Sequence, residues 1–149
     1  MCASPSHSDY LSAFRQRSAT CAAMLELSQA QAESVRKDDY TELLSLLDQK
    51  QGLLDDVARA TREQAEVWRS WADQRDRFTA DERLQCEREL ARIEELLAQL
   101  LREEQAGTDL LTERRRATQR ELALLNRGVR VREAYGDAGG SPRHFSIDL

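Results

Sequence analysis

The feature that most constrains this chain is the 3-4 spacing of its apolar residues, sustained over long stretches with almost nothing to break a helix. In the first third the spacing selects Leu11, Phe14, Ser18, Cys21, Leu25, Ser28, Ala32 and Val35. Residues three and four apart share one face of an α-helix, whereas a half-buried strand needs strict alternation. Small and polar residues narrow this seam but leave its period intact. With only 6 Gly and 2 Pro among 149 residues, and 33% of them charged, the composition is that of long helices and coiled coils. The expected fold class is all-α: a long antiparallel helical hairpin, or three-helix coiled-coil bundle, with an extended C-terminal helix.

Boundaries follow from capping signals. Residues 1–8 hold Ser4, Pro5, Ser6 and Ser8 and read as a disordered start, with Asp9 as the cap of a first helix over about 9–37. Asp39 followed by Glu42 has the spacing of a capping box and opens a second helix to about 77. Its expected seam is Tyr40, Leu43, Leu47, Lys50, Leu54, Val57, Thr61, Gln64, Trp68 and Trp71, with Leu44, Leu46 and Leu53 broadening it. Periodicity weakens from Asp73 to Phe78, and Thr79 with Glu82 makes a cleaner box before a third helix over about 80–135. Leu90, Ile93, Leu97 and Leu100 form its stripe, widened by Leu96 and Leu101. Gly107 followed by Thr108 is a possible break, but a continuous helix is the favoured reading. The helical residues 9–135 form one domain, and 136–149 is expected as a flexible tail carrying Phe145 and Ile147.

Relative lengths point to a surface. At about 1.5 Å per residue the three helices span roughly 42, 58 and 85 Å. Short connections make neighbours antiparallel, so the third helix is expected to pass the start of the second near residue 118 and to overhang by roughly 25 Å. The overhang carries Leu122, Leu124, Leu125, Val129, Val131 and Tyr135. An exposed apolar strip of this length marks a partner site; the alternatives are a bend at Gly107 that folds it into the core, or a homodimer. The same register sets Lys50 opposite Glu104 and Gly107, near the level of Ser28. Either Lys50 and Glu104 pair there as a register-fixing polar layer, or both lean into water.

Several functions lack their chemistry. A net charge of −5 argues against nucleic acid as the main partner. Arg114, Arg115, Arg116, Arg120, Arg127, Arg130 and Arg132 make the end of the last helix basic. Interleaved Glu113, Glu121 and Glu133, and the lack of aromatic platforms, favour a solvated face or an acidic protein partner. His7 and His144 lie in the two ends expected to be disordered, so no catalytic base or metal site is assigned. No phosphate-binding glycine loop or metal-ligand motif occurs, no cofactor is expected, and the protein is read as not an enzyme. Trp68 and Trp71 are read as packing residues rather than a ligand site. Cys2, Cys21 and Cys86 are scattered and odd in number, which fits a reducing compartment. The polar N-terminus lacks the blocks of a signal peptide, and no apolar run nears the ~20 residues of a membrane span, so a cytoplasmic location without membrane insertion is expected.

Two stretches together resemble the flagellar type III export chaperones of the FlgN/FliT kind. One is Glu26 to Val57, ELSQAQAESVRKDDYTELLSLLDQKQGLLDDV; the other is Leu100 to Tyr135, LLREEQAGTDLLTERRRATQRELALLNRGVRVREAY. The most specific piece is Leu125-x-x-Gly128-x-Arg130-x-x-x-Ala134-Tyr135. The resemblance covers under half of the chain. It implies a cytoplasmic chaperone that holds the C-terminal amphipathic segment of a hook-associated or filament-cap subunit, prevents premature assembly and hands the subunit to the export gate. On this reading Leu122, Leu124, Leu125, Val129 and Val131 bind the substrate protein, with Leu122, Leu125 and Val129 as anchors of helix-in-groove recognition. Tyr135 matches a tyrosine that docks on an export gate component, or else packs on the bundle. The alternative function is a homodimeric coiled-coil structural or scaffolding protein.

Overall fold

The computed structural model describes residues 3–136. Cys2 and the expected flexible tail over 137–149 lie outside the described residues. The protein is all-α, and no strand occurs among the described residues.

Helix α1 spans His7–Arg36. Its cap is Ser6 rather than Asp9: the Ser6 hydroxyl accepts from the Asp9 backbone N–H at 3.2 Å, and the Asp9 carboxylate accepts from the Ser6 N–H at 2.8 Å. Two of the backbone donors that a helix start leaves unpaired are thereby satisfied. The expected disordered start therefore contains the cap, and His7 stands on a helix, its ring 6.1 Å from that of Phe78. After α1 the chain turns through Asp38 at φ 56°, a left-handed conformation that Asp adopts more readily than most residues. Asp39 then accepts from the Glu42 N–H at 3.1 Å and caps α2, Tyr40–Glu63.

The single helix expected to end near 77 is divided. Gln64, at φ −107° and ψ 24°, interrupts it, and α3 follows over Ala65–Gln74, with a 3-10 turn at Arg75–Arg77. Neither Gly nor Pro marks the break. What holds it is tertiary: the Gln64 amide donates to the Gln16 side chain of α1 at 2.9 Å, and α3 is turned so that its tryptophans pack on α1. Thr79 and Glu82 form the reciprocal box at 3.1 and 3.2 Å that opens α4, Ala80–Gly136. The helix continues through Gly107, where Thr108 donates its hydroxyl back to the Glu104 carbonyl at 2.9 Å instead of capping a new helix.

The chain falls into two compact units, residues 1–108 and 109–149. In the first, α4 runs parallel to α1, as contacts rising together along both helices show: His7 to Glu82 at 3.7 Å, Arg15 to Glu89 at 4.0 Å and Ser28 to Glu104 at 2.7 Å. Helix α2 is antiparallel to α1, with Arg17 donating to Thr61 at 2.7 Å. The α1 seam is buried from Phe14 to Val35, with only Leu11 of the expected set left partly exposed. On α2 the expected seam holds in part: Leu43 is buried as expected, Leu46 is buried in place of the expected Leu47, and Tyr40, Leu47 and Leu54 are exposed. Its first half is crowded with leucine pairs, and the register against α1 chooses the other member of a pair. Cys86, Ile93 and Leu100 are the buried residues of α4.

Aromatic packing closes one end of this unit. Trp71 lies edge-on to Tyr10 at 5.0 Å and to Phe14 at 5.5 Å, and is stacked on Phe78 at 6.0 Å. Trp68 meets Phe14 at 5.0 Å, and the Arg17 guanidinium lies 4.5 Å above its ring. Offset and edge-on pairs of this kind add stability beyond the area they bury. Trp71 thus belongs to the core, and Trp68, partly buried, packs against it.

Midway along the bundle, Lys50 and Glu104 form an ion pair, and Ser28 donates to the same Glu104 carboxylate oxygen at 2.7 Å. The Lys50 side chain is 13% exposed and that of Glu104 42%. Partial burial alone raises the Glu104 pKa; the hydrogen bonds from Lys50 and Ser28 and the lysine charge outweigh it, holding the carboxyl below its usual range. The layer predicted by register is present.

Candidate protein-binding surface

Among the described residues, the second unit is one helical stretch, 109–136, with no other element of its own to cover it. The sequence makes that stretch amphipathic in an unusual way. At 100° per residue, Leu122, Leu125 and Val129 form one apolar line, and Leu124, Val131 and Tyr135 form a second. Gly128 lies between them, with Glu121 and Arg132 on the same central line. Exposure of the large side chains is high: 64% for Leu124, 63% for Leu125, 53% for Val131 and 83% for Tyr135. Leu122 and Val129 are half-buried. All six residues that the sequence selects are thus on this strip, and none is sealed in a core.

A hollow sits on the strip, lined among the described residues by Glu121, Leu124, Leu125, Gly128, Val129 and Arg132. Gly128 adds no side chain to its lining, and among the described residues a Cβ added there meets nothing within 4 Å. Sequence reasoning singles out the apolar members but not the role of Gly128, Glu121 and Arg132. The signal for them is a glycine set between i+3 and i+4 apolar neighbours inside an unbroken helix.

Charge differs sharply along the chain. Residues 109–136 carry seven arginines against four carboxylates, a net +3, whereas residues 1–108 carry 14 cationic and 21 acidic side chains, a net −7. Arg116, Arg120 and Arg127, spaced i, i+4 and i+11, form a basic line beside Leu124 and Val131. None of the three makes an ion pair or hydrogen bond among the described residues.

Chemistry elsewhere is structural. No group of three or more His, Cys, Asp or Glu able to hold a metal occurs among the described residues, and no helix of theirs is long and apolar enough to cross a membrane. Cys21 and Cys86 are free thiols in the core. Burial pushes the Cys21 thiol up. Burial, followed by the nearby Glu82 and Glu87 charges, pushes Cys86 up to about 11 despite Arg15, which makes it a poor nucleophile.

Exposed apolar side chains on a helix with no neighbour in its own unit are the kind of surface that a protein partner covers, and they make this an all-α protein with a candidate protein-binding face. Comparison with known families makes the assignment specific. The family model described as FlgN protein matches residues 1–143. The chain therefore belongs to the FlgN family of flagellar export chaperones. No curated protein and no solved structure matches it.

Proposed function

We propose that this chaperone acts in the cytoplasm on a hook-associated or filament-cap subunit, whose C-terminal amphipathic segment it holds on the strip formed by Leu122, Leu124, Leu125, Val129 and Val131. The observation that carries the reading is the exposure of Leu124, Leu125 and Val131, beside the half-buried Leu122 and Val129, on a helical stretch that has no partner within its own unit. Leaving Leu124 and Leu125 in water is unfavourable by roughly 1.5–3 kcal/mol each relative to full burial, so a complementary apolar helix gains most of its affinity from covering them. No bond is made or broken. The chaperone covers surface on the subunit that otherwise self-associates, and Tyr135, at the far end of the strip, contacts an export gate component when the subunit is handed over.

Truncation after residue 118 is the direct test. The shortened chain keeps the buried residues of α1, α2 and α3 and those of α4 up to Leu100, and should retain its helical signal and cooperative melting. It should lose binding to the C-terminal peptide of a hook–filament junction subunit in calorimetry; undiminished binding would move the site elsewhere. A homodimer is the second reading, because a second copy can cover the same exposed leucines. Light scattering separates the two: a chaperone passes to a mixed complex when the subunit is added, whereas a scaffold remains a dimer indifferent to it.

A further inference from the structure

The geometry points to a socket at Gly128 that selects a partner helix presenting two bulky apolar residues about one turn apart, flanked by a basic residue at one end and an acidic residue at the other. This deepens the chaperone reading and rests on it. The six residues around the hollow are not an arbitrary set. In knobs-into-holes packing, a side chain of one helix enters the space between residues i, i+3, i+4 and i+7 of its neighbour. Glu121, Leu124, Leu125 and Gly128 are one such set; Leu125, Gly128, Val129 and Arg132 are the next. The two holes share Leu125 and Gly128, so the glycine deepens both at once.

Depth decides which knobs fit. A hole walled by four large side chains admits a small or β-branched knob, whereas one with a missing wall takes leucine, methionine or phenylalanine. Among the described residues, nothing occupies the space directly above Gly128: an added Cβ meets none of their atoms within 4 Å. The glycine is also expensive where it stands, because Gly inside a helix is less favourable than Ala by about 1 kcal/mol. What sets Gly128 apart from Gly52 and Gly107, which have the same open space above them, is its place between Leu124, Leu125 and Val129 on the apolar strip.

Orientation comes from the ends. Glu121 and Arg132 bound the pair of holes, eleven residues and therefore about 16 Å apart along the axis. A partner helix with its cation over Glu121 and its carboxylate over Arg132 is favoured in that direction, and the reversed helix places like charges together at both ends. The basic line of Arg116, Arg120 and Arg127 beside Leu124 favours further carboxylates on that flank of the partner.

The test uses the full-length chaperone and a synthetic C-terminal peptide of a hook–filament junction subunit. Gly128→Leu puts a bulky side chain into both holes, and Gly52→Leu makes the same change at another helical glycine; among the described residues an added Cβ meets nothing within 4 Å at either position. The socket predicts at least a tenfold loss of affinity for Gly128→Leu, unchanged affinity for Gly52→Leu, and a helical signal equal to or above wild type for both. Arg132→Glu is expected to weaken binding several-fold and to flatten its salt dependence. Peptide binding that Gly128→Leu leaves intact overturns the socket while the chaperone reading stands. Equal losses in both leucine variants overturn it too. A wild-type protein that binds neither this peptide nor that of a filament-cap subunit removes the proposed substrate, and the socket with it.

Discussion

Cutting the Lys50–Glu104 pair from its two sides should have unequal consequences, because the partners are unequally buried. Lys50 is 13% exposed and Glu104 42%. In Glu104→Ala the ammonium of Lys50 stays largely desolvated without its carboxylate, and the Ser28 hydroxyl loses its acceptor. A hydrogen bond to a charged group contributes about 1.5–3 kcal/mol, and the strandings of fully buried charges cost more. Lys50 is largely but not fully buried, so a loss of about 2 kcal/mol, below that of a fully stranded charge, is expected. In Lys50→Met an apolar side chain of similar length fills the seam, while Glu104 keeps Ser28 and its access to water. That change should stay within about 1 kcal/mol of wild type. For a chain of this size 2 kcal/mol corresponds to a fall in melting temperature of about 4–8 °C. Urea unfolding followed by circular dichroism, with both variants and the Lys50→Leu/Glu104→Leu double, measures the difference. The double variant should remain stable but lose the fixed alignment of the helices, visible as broadened amide resonances. Equal costs for the two single variants, or a larger cost for Lys50→Met, would refute the argument from burial, and a well-ordered double variant would refute the register role.

Other consequences follow from the same physics. Trp71→Ala removes the ring that meets Tyr10, Phe14 and Phe78, and should destabilise the protein by about 3–5 kcal/mol in urea titrations. Gly107→Ala should raise stability by about 0.5–1 kcal/mol, since the position is helical and an added Cβ meets nothing within 4 Å. Stability should fall as pH rises from about 9 towards 11: the unfolded chain ionises the Cys86 thiol in that window while the folded protein, whose thiol titrates at about 11, keeps it protonated, so the unfolded state binds fewer protons. Cys86→Ala should flatten that decline in a series of thermal melts, and an unchanged slope would assign it to other groups.

Much of the bundle was legible because its signals are local. The period that selects Phe14, Cys21, Leu25 and Val35 survives in the structure as a buried face, and the opposition of Lys50 and Glu104 follows from counting residues away from a short turn. The Thr79–Glu82 box was readable for the same reason. Ser6 was missed because Ser6 and Asp9 are both acceptable caps, and only the reciprocal bonds distinguish cap from third residue. Leu46, rather than Leu47, joins the expected Leu43 in the core because neighbouring helices choose between adjacent leucines, a choice that one helix in isolation does not contain. The break at Gln64 lies furthest from the sequence: no breaker residue is there, and its cause is the packing of Trp68 and Trp71 on residues more than fifty positions away. On the candidate surface the large apolar residues declare themselves, whereas Gly128 contributes by what it lacks. An absent side chain becomes a socket only once its helical neighbours are in place.

Hydrogen exchange of the full-length protein, with and without the junction-subunit peptide, tests the central claim most directly. If the strip on α4 holds the substrate, amides between Glu121 and Tyr135 gain protection in the complex, while those of α1 keep their free-state rates. Protection that appears on α1 or α2, with residues 121–135 exchanging as fast as before, would contradict the account.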